Sequence, residues 1–230
     1  MNAAIVLAAG QGKRMNSAVQ KQFLLLNGRP LLLYSLEAFQ KSKIDRIILV
    51  TGKEEIEYCR EEITVPYGIT KVDTIVAGGR ERYHSVYEGL KAAEGCEEIL
   101  IHDGARPLVT EKMIHDALDG ARKYGACIVG MPVKDTIKVS DQEGFVASTP
   151  DRSHLWQIQT PQAFHYSWIR GAYDRLFSRE EYQHGVTDDA MVLETMTDHR
   201  VRLIEGSYGN IKVTTPEDMA VASALLNRNG

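Results

Sequence analysis

Two cations, Arg14 and Lys21, stand shortly after the run Leu7-Ala8-Ala9-Gly10-Gln11-Gly12-Lys13. Gly10 and Gly12 let backbone N–H groups approach a ligand closely, and the small Ala8 and Ala9 leave room for a base or a ribose. Cations behind such a turn suit a chain of phosphates. The run is no dinucleotide fingerprint, because Met15 stands where G-x-G-x-x-G requires its third glycine, and the P-loop pattern G-x-x-x-x-G-K-[ST] is absent. The same residues would equally make a glycine-rich turn with solvated basic side chains.

Two further segments bear chemistry. Gly78 and Gly79 precede Arg80 and a helical pattern in which Ser85 falls in the first turns, and a helix N-terminus favours anions or the polar edge of a base. His102-Asp103-Gly104-Ala105-Arg106-Pro107 ends the fully apolar run Ile99-Leu100-Ile101. Asp103 therefore arrives at a strand tip, where a carboxylate can help hold a metal or a hydroxyl, and Arg106 can hold a phosphate; a local Asp103 to Arg106 ion pair is the plainer alternative. The segments 150–156 and 159–162, the run Thr187-Asp188-Asp189-Ala190 that opens a helix, and a short strand at 209–214 carrying Lys212 say less singly. Asp or Thr before an apolar run commonly caps a helix, and a lone strand lysine is commonly just exposed. The seven histidines make no metal-ligand pattern and there is no G-x-S-x-G elbow, so zinc and hydrolase chemistry rank low.

The elements that must position these residues read as an alternation. Apolar runs at 3–9, 46–50, 71–77, 98–102 and 126–133 predict strands, and 30–40, 54–62, 80–93 and 111–123 predict helices. That pattern predicts an α/β fold, a Rossmann-like, mostly parallel sheet with helices on both faces. Ligands on such a sheet gather at the carboxyl ends of the strands, where the glycine-rich run, Gly78-Gly79 and Asp103 all fall. Thr215 can cap a last helix running to about residue 226, with Pro216 at its first position and Asp218 completing a capping box. One stretch breaks the rhythm. Strand-like pieces at 135–140 and 145–149 flank the turn 141–144, predicting a hairpin that is either an edge decoration or an arm gripping a second subunit.

Composition narrows the partners. At 230 residues without repeat or linker, one domain spanning 1–230 is expected. A net charge of -4 argues against nucleic acid, and no apolar run approaches the roughly 18 residues of a membrane helix. The first ten residues lack a basic n-region and read as a core strand rather than a signal peptide. Cys59, Cys96 and Cys127 are odd in number and widely spaced, which suits reduced thiols and a cytoplasmic location.

Joint order and spacing add more than any single segment. LAAGQGKRM, Lys21-Gln22, GGRERYHSV, HDGARPLV, KDTIK at 134–138, DRSHLWQIQTPQAF, TDDA and NIKVTTPED occur in one order over about 3–225, and in this the chain resembles the 2-C-methyl-D-erythritol 4-phosphate cytidylyltransferases of the non-mevalonate isoprenoid pathway. The resemblance implies a nucleotidyltransferase that moves CMP from CTP to a polyol phosphate, with Mg2+ bound mainly through the CTP phosphates. It implies that Ala8, Ala9, Gly10, Gly12, Gly79, Arg80 and Ser85 surround the nucleotide, that Arg14, Lys21 and Lys212 are catalytic, and that Asp103, Arg106, Thr160 and Thr187 line the acceptor side. The hairpin, about 134–152, would be the arm of a homodimer, carrying Thr136 and Arg152 to the neighbour's acceptor. Arg80 departs from the acidic residue of some relatives. Ribitol 5-phosphate cytidylyltransferase is the nearest alternative, and a non-catalytic nucleotide-binding regulator is another.

Overall fold

The computed structural model describes residues 1–10 and 20–229; Gly12 and Arg14 lie outside the described residues. The first strand, β1 (Asn2–Ala8), is apolar beyond Asn2 and almost wholly buried, as a central strand covered on both faces must be. After it come β2 (Leu25–Leu26) and β3 (Arg29–Pro30), an antiparallel pair turned by Asn27 and Gly28, both at positive φ. Helix α1 (Leu31–Lys41) and strand β4 (Arg46–Thr51) follow.

Where one helix is expected at 54–62 the backbone changes winding three times, from a 3-10 turn at Lys53–Glu55 through the single turn α2 (Ile56–Tyr58) to a π-turn at Cys59–Thr64. Thr64 supplies a reason. Its hydroxyl donates to the Arg60 carbonyl at 3.0 Å while the Val65 N–H bonds the same carbonyl five residues back, so the last turn widens.

The alternation then runs β5 (Val72–Ala77), α3 (Arg82–Ala92), β6 (Glu98–Asp103), α4 (Glu111–Tyr124) and β7 (Ala126–Pro132). The hairpin is present as β8 (Val139–Ser140) and β9 (Val146–Ser148), shorter than the pieces expected. Beyond it are β10 (Trp156–His165), α5 (Tyr166–Leu176), α6 (Asp189–Met196), β11 (Arg202–Glu205) and α7 (Pro216–Asn229). Seven strands form one sheet in the order β11-β7-β10-β6-β1-β4-β5, and β10 alone runs antiparallel to its neighbours. Alternate residues of β1 feed two cores. Ala4, Val6 and Ala8 pack with residues of α1 and α4 on one face, and Ala3 and Ile5 pack with α3, α5 and α6 on the other.

One expected strand is absent. Residues 209–214 form an irregular connection rather than a strand, tied to the loop after β6 by the Val213 N–H to the Ala105 carbonyl at 2.8 Å and by Arg106 Nη1 to the Asn210 carbonyl at 2.8 Å. The capping box before α7 is formed: Asp218 Oδ2 accepts from the Thr215 N–H at 2.9 Å, and the Asp218 N–H reaches Thr215 Oγ1 at 3.4 Å. That box also fixes Thr214, whose N–H and hydroxyl both donate to Asp218, and so anchors the segment carrying Lys212. Among the described residues no helix is long and apolar enough to cross a membrane.

Candidate active site

A cleft of about 650 Å³ opens beyond the carboxyl ends of β1 and β6, where the topology brings neighbouring strand tips together. Ala8, Ala9 and Gly10 form its floor at the end of β1. A short 3-10 turn, Lys21–Phe23, brings Lys21 and Gln22 to the same wall. Gln22 is buried and its amide donates to the Ala8 carbonyl and to Gln20, so the turn bearing Lys21 is fastened to the β1 tip.

The opposite wall is the connection from β5 into α3. Gly78 is required there by close approach: a Cβ at this position would lie 2.6 Å from the Ala9 Cβ and 2.6 Å from Ser85 Oγ. Ser85 Oγ accepts from the Gly79 N–H at 3.1 Å, which shapes the loop before the helix. The helix begins at Arg82 rather than at Arg80, whose side chain is 90% exposed at the mouth of the cleft.

Charge concentrates at the tip of β6. Each oxygen of the Asp103 carboxylate carries one cation: Oδ1 accepts from Arg82 Nε at 3.0 Å and Oδ2 from Lys212 Nζ at 2.7 Å. Burial opposes ionisation of Asp103, but Arg82 and then Lys212 outweigh it and hold the carboxyl far below the usual carboxylate range. Arg82 continues into a two-pronged pair with Asp189 at 3.0 and 2.8 Å, and Asp189, fully buried at the start of α6, also accepts from the Tyr173 hydroxyl at 2.6 Å. Gln162 holds that helix start, accepting from the Asp189 and Ala190 N–H groups while its amide donates to Asp188.

Behind Asp103 lies a second chain of bonds. The Asp103 N–H donates to Thr160 Oγ1 at 3.1 Å, Thr160 contacts His102 Nδ1 at 2.9 Å, and His102 Nε2 contacts the Arg106 carbonyl at 3.3 Å. A carbonyl only accepts, so Nε2 carries the proton, Nδ1 accepts from the Thr160 hydroxyl, and the imidazole is neutral. Burial is the main reason, pushing the His102 pKa down to about 4, with Asp103 opposing and Arg106 and Arg82 adding to the shift.

Of the expected site residues, Ala8, Ala9, Gly10, Lys21, Gly79, Arg80, Ser85, Asp103 and Lys212 line this one cleft. Arg106 and Thr160 do not line it; they brace the tip of β6 from behind, through Asn210 and His102. Thr187 is exposed ahead of α6, with its hydroxyl on the Met191 sulfur. Thr136 and Arg152 are exposed on the hairpin segment, away from this cleft, and Arg152 donates to the Lys134 carbonyl at 2.5 Å. Sequence reasoning missed Arg82, Gln22 and Asp189. Arg82 did carry a signal, its place at the first helical position after a Gly-Gly turn, but Asp189 lies 107 residues away and its pairing is visible only in three dimensions. Among the described residues no group of three His, Cys, Asp or Glu side chains is placed to hold a metal ion.

Comparisons with known proteins cover nearly the whole chain. The family model for 2-C-methyl-D-erythritol 4-phosphate cytidylyltransferase matches residues 2–228. The chain is 50% identical to 2-C-methyl-D-erythritol 4-phosphate cytidylyltransferase of Lachnoclostridium phytofermentans, covering 98% of this chain and 96% of that protein. It is 48% identical to the protein of the same name from Lachnospira eligens, covering 98% and 99%. Among solved structures, 4-diphosphocytidyl-2C-methyl-D-erythritol synthase of Anaerococcus prevotii superposes with a TM-score of 0.85 at 36% identity, covering 99% of this chain and 96% of that one.

Proposed function

The chain belongs to the 2-C-methyl-D-erythritol 4-phosphate cytidylyltransferase family, and on that premise we infer that it transfers CMP from CTP to 2-C-methyl-D-erythritol 4-phosphate. The products are 4-diphosphocytidyl-2-C-methyl-D-erythritol and pyrophosphate. The observation that supports this best is the cleft itself, which small residues and loop amides line together with the Lys212–Asp103–Arg82 cluster and Lys21.

In this reading the floor of Ala8, Ala9 and Gly10, together with Gly79, Arg80 and Ser85, takes cytosine and ribose, largely through main-chain groups. Arg14, Gly12 and Lys21 take the triphosphate. An oxygen of the acceptor phosphate attacks the α-phosphorus, forming the new P–O bond as the bond to pyrophosphate breaks. That phosphate is already ionised near neutral pH, so no general base is needed. Both reactants are anions, and catalysis is therefore positioning and neutralisation by Arg14, Lys21 and Lys212. Mg2+ fits this donor set as a companion of the nucleotide phosphates and would neutralise part of their charge when bound. Asp103, Arg106, Thr160 and Thr187 make up the acceptor side in the same reading, Arg106 and Thr160 from behind Asp103, and Thr136 and Arg152 complete it from the arm of a second subunit. The chain works as one domain, in the cytoplasm.

The test is pyrophosphate release from CTP and Mg2+ in the presence of each polyol phosphate. Release with 2-C-methyl-D-erythritol 4-phosphate and not with ribitol 5-phosphate is expected. Release with ribitol 5-phosphate alone would overturn the acceptor, and release with neither would leave a nucleotide-binding protein without turnover.

A further inference from the structure

Lys212 poses a problem for the reaction just described. Its ammonium sits 2.7 Å from Asp103 Oδ2, yet the reading of Lys212 as the cation beside the α-phosphate requires that ammonium to face a phosphate instead. A carboxylate in a largely buried position resists losing its cation, because an unpaired buried charge is costly. Only 11% of the Asp103 side chain is exposed. Something must keep Asp103 compensated while Lys212 turns away.

Arg82 is built for that. Its Nε holds the other Asp103 oxygen at 3.0 Å, and the two remaining nitrogens are locked onto Asp189 at 3.0 and 2.8 Å. Asp189 is in turn held by Tyr173 and by its own N–H on Gln162. The guanidinium is thus fixed from α6 and cannot follow an incoming phosphate, whereas Lys212, on a connection without regular structure and 37% exposed, can swing. A planar fork anchored at two nitrogens with a third left for Asp103 is an arrangement that a lysine cannot reproduce.

We propose that Arg82 is a positioning residue for cytidylyl transfer: anchored on Asp189, it holds Asp103 so that Lys212 can be handed from the Asp103 carboxylate to the phosphate being transferred. The proposal rests on the reading of Lys212 as the α-phosphate cation. It makes Arg82 act through Lys212, and not as an independent contact to the nucleotide.

A mutant cycle reads that distinction. Turnover and KM for both substrates are measured for Arg82→Met, Lys212→Ala and the double variant in the full chain, with circular dichroism melts to confirm folding. Arg82→Met is expected to lower kcat by about 30-fold while the KM for CTP moves by less than about threefold. In the Lys212→Ala background the same change is expected to cost less than about twofold, because the residue through which Arg82 acts is gone. Arg82→Lys, which keeps a cation in place, carries the same cycle should Arg82→Met fail to fold; it is expected to lose about fivefold alone and nothing further beside Lys212→Ala. Losses that multiply in the double variant would overturn the proposal while leaving the role of Lys212 intact. Near-normal turnover of Lys212→Ala would overturn that role, and the proposal with it.

Discussion

The single residue on which the chemistry turns is Lys212. It comes from the far end of the sequence, from a connection with no regular structure, and reaches a cleft otherwise built from residues 7–105. Two features aim it. Val213 is pinned to the Ala105 carbonyl, and Thr214 is pinned to Asp218 in the first turn of α7, so the backbone that carries Lys212 is fixed beside the cleft while its side chain keeps the freedom to swing from Asp103 to a phosphate. A preorganised cation facing developing charge is worth about 100-fold or more in turnover. Lys212→Ala is accordingly expected to lower kcat by at least about that factor, with protein that still folds, since the ammonium contributes nothing to either main core. Steady-state pyrophosphate release is the measurement, and turnover within a few-fold of the parent would remove Lys212 from the mechanism. Nothing in the local sequence marks this lysine. It reads as an ordinary exposed side chain, and only its order among the other segments points to the site.

At the scale of elements, strand β6 shows what was legible and what was not. Its apolar run and its polar end predict a buried strand with Asp103 at the tip, and both are found. The neighbour that completes it, β10, escaped the reading. Three glutamines and Pro161 in WQIQTPQAFH obscure any apolar alternation, and a proline argues against a central strand. The structure accommodates it by a register shift between Ile158 and Gln162, and the polar side chains that hid the strand serve as its braces, Thr160 on His102 and Gln162 on α6. Helices α1, α3 and α4 were legible because amphipathic periodicity is local, whereas the pairing of β10 between β6 and β7 depends on residues far apart in sequence. The β6 tip also carries a pH signature. His102 is neutral and wholly buried with a pKa pushed down to about 4, while in the unfolded chain it titrates near 6.5. A group whose folded pKa is depressed below its unfolded value leaves the unfolded state binding more protons, so stability falls as pH drops from about 6.5 toward 4. By pH 5 the loss amounts to about 2 kcal/mol. Asp103 adds its own loss only as the pH falls through the ordinary carboxylate range and below it, where the His102 window is ending. Urea denaturation at pH 7 and pH 5 is the check: His102→Gln should remove most of the difference between the two, and an unchanged difference would show that His102 does not titrate across this window.

For the whole molecule the open matter is the hairpin, which contributes nothing to either face of the main sheet. Strands of two and three residues are marginal by themselves, and the excursion turns Ile137, Val139, Phe145 and Val146 outward, with Phe145 69% exposed. We propose that a second copy of the chain covers this face, and that Arg152 at the base of the arm serves the partner's acceptor site. The consequence is a division of labour between subunits that mixing can expose. Arg152→Ala and Lys212→Ala are each expected to be nearly inactive alone. In a hybrid dimer, one site inherits an intact Lys212 from its own chain and an intact Arg152 from its partner, while the other site lacks both. Random reassortment makes half the dimers hybrids, and half of their sites are whole, so turnover should recover to about one quarter of the parent value. Recovery should follow the time course of subunit exchange seen by native mass spectrometry. If the mixture exchanges subunits and stays as inactive as its parts, Arg152 acts within its own chain or not at all, and the hairpin is a decoration on the edge of the fold.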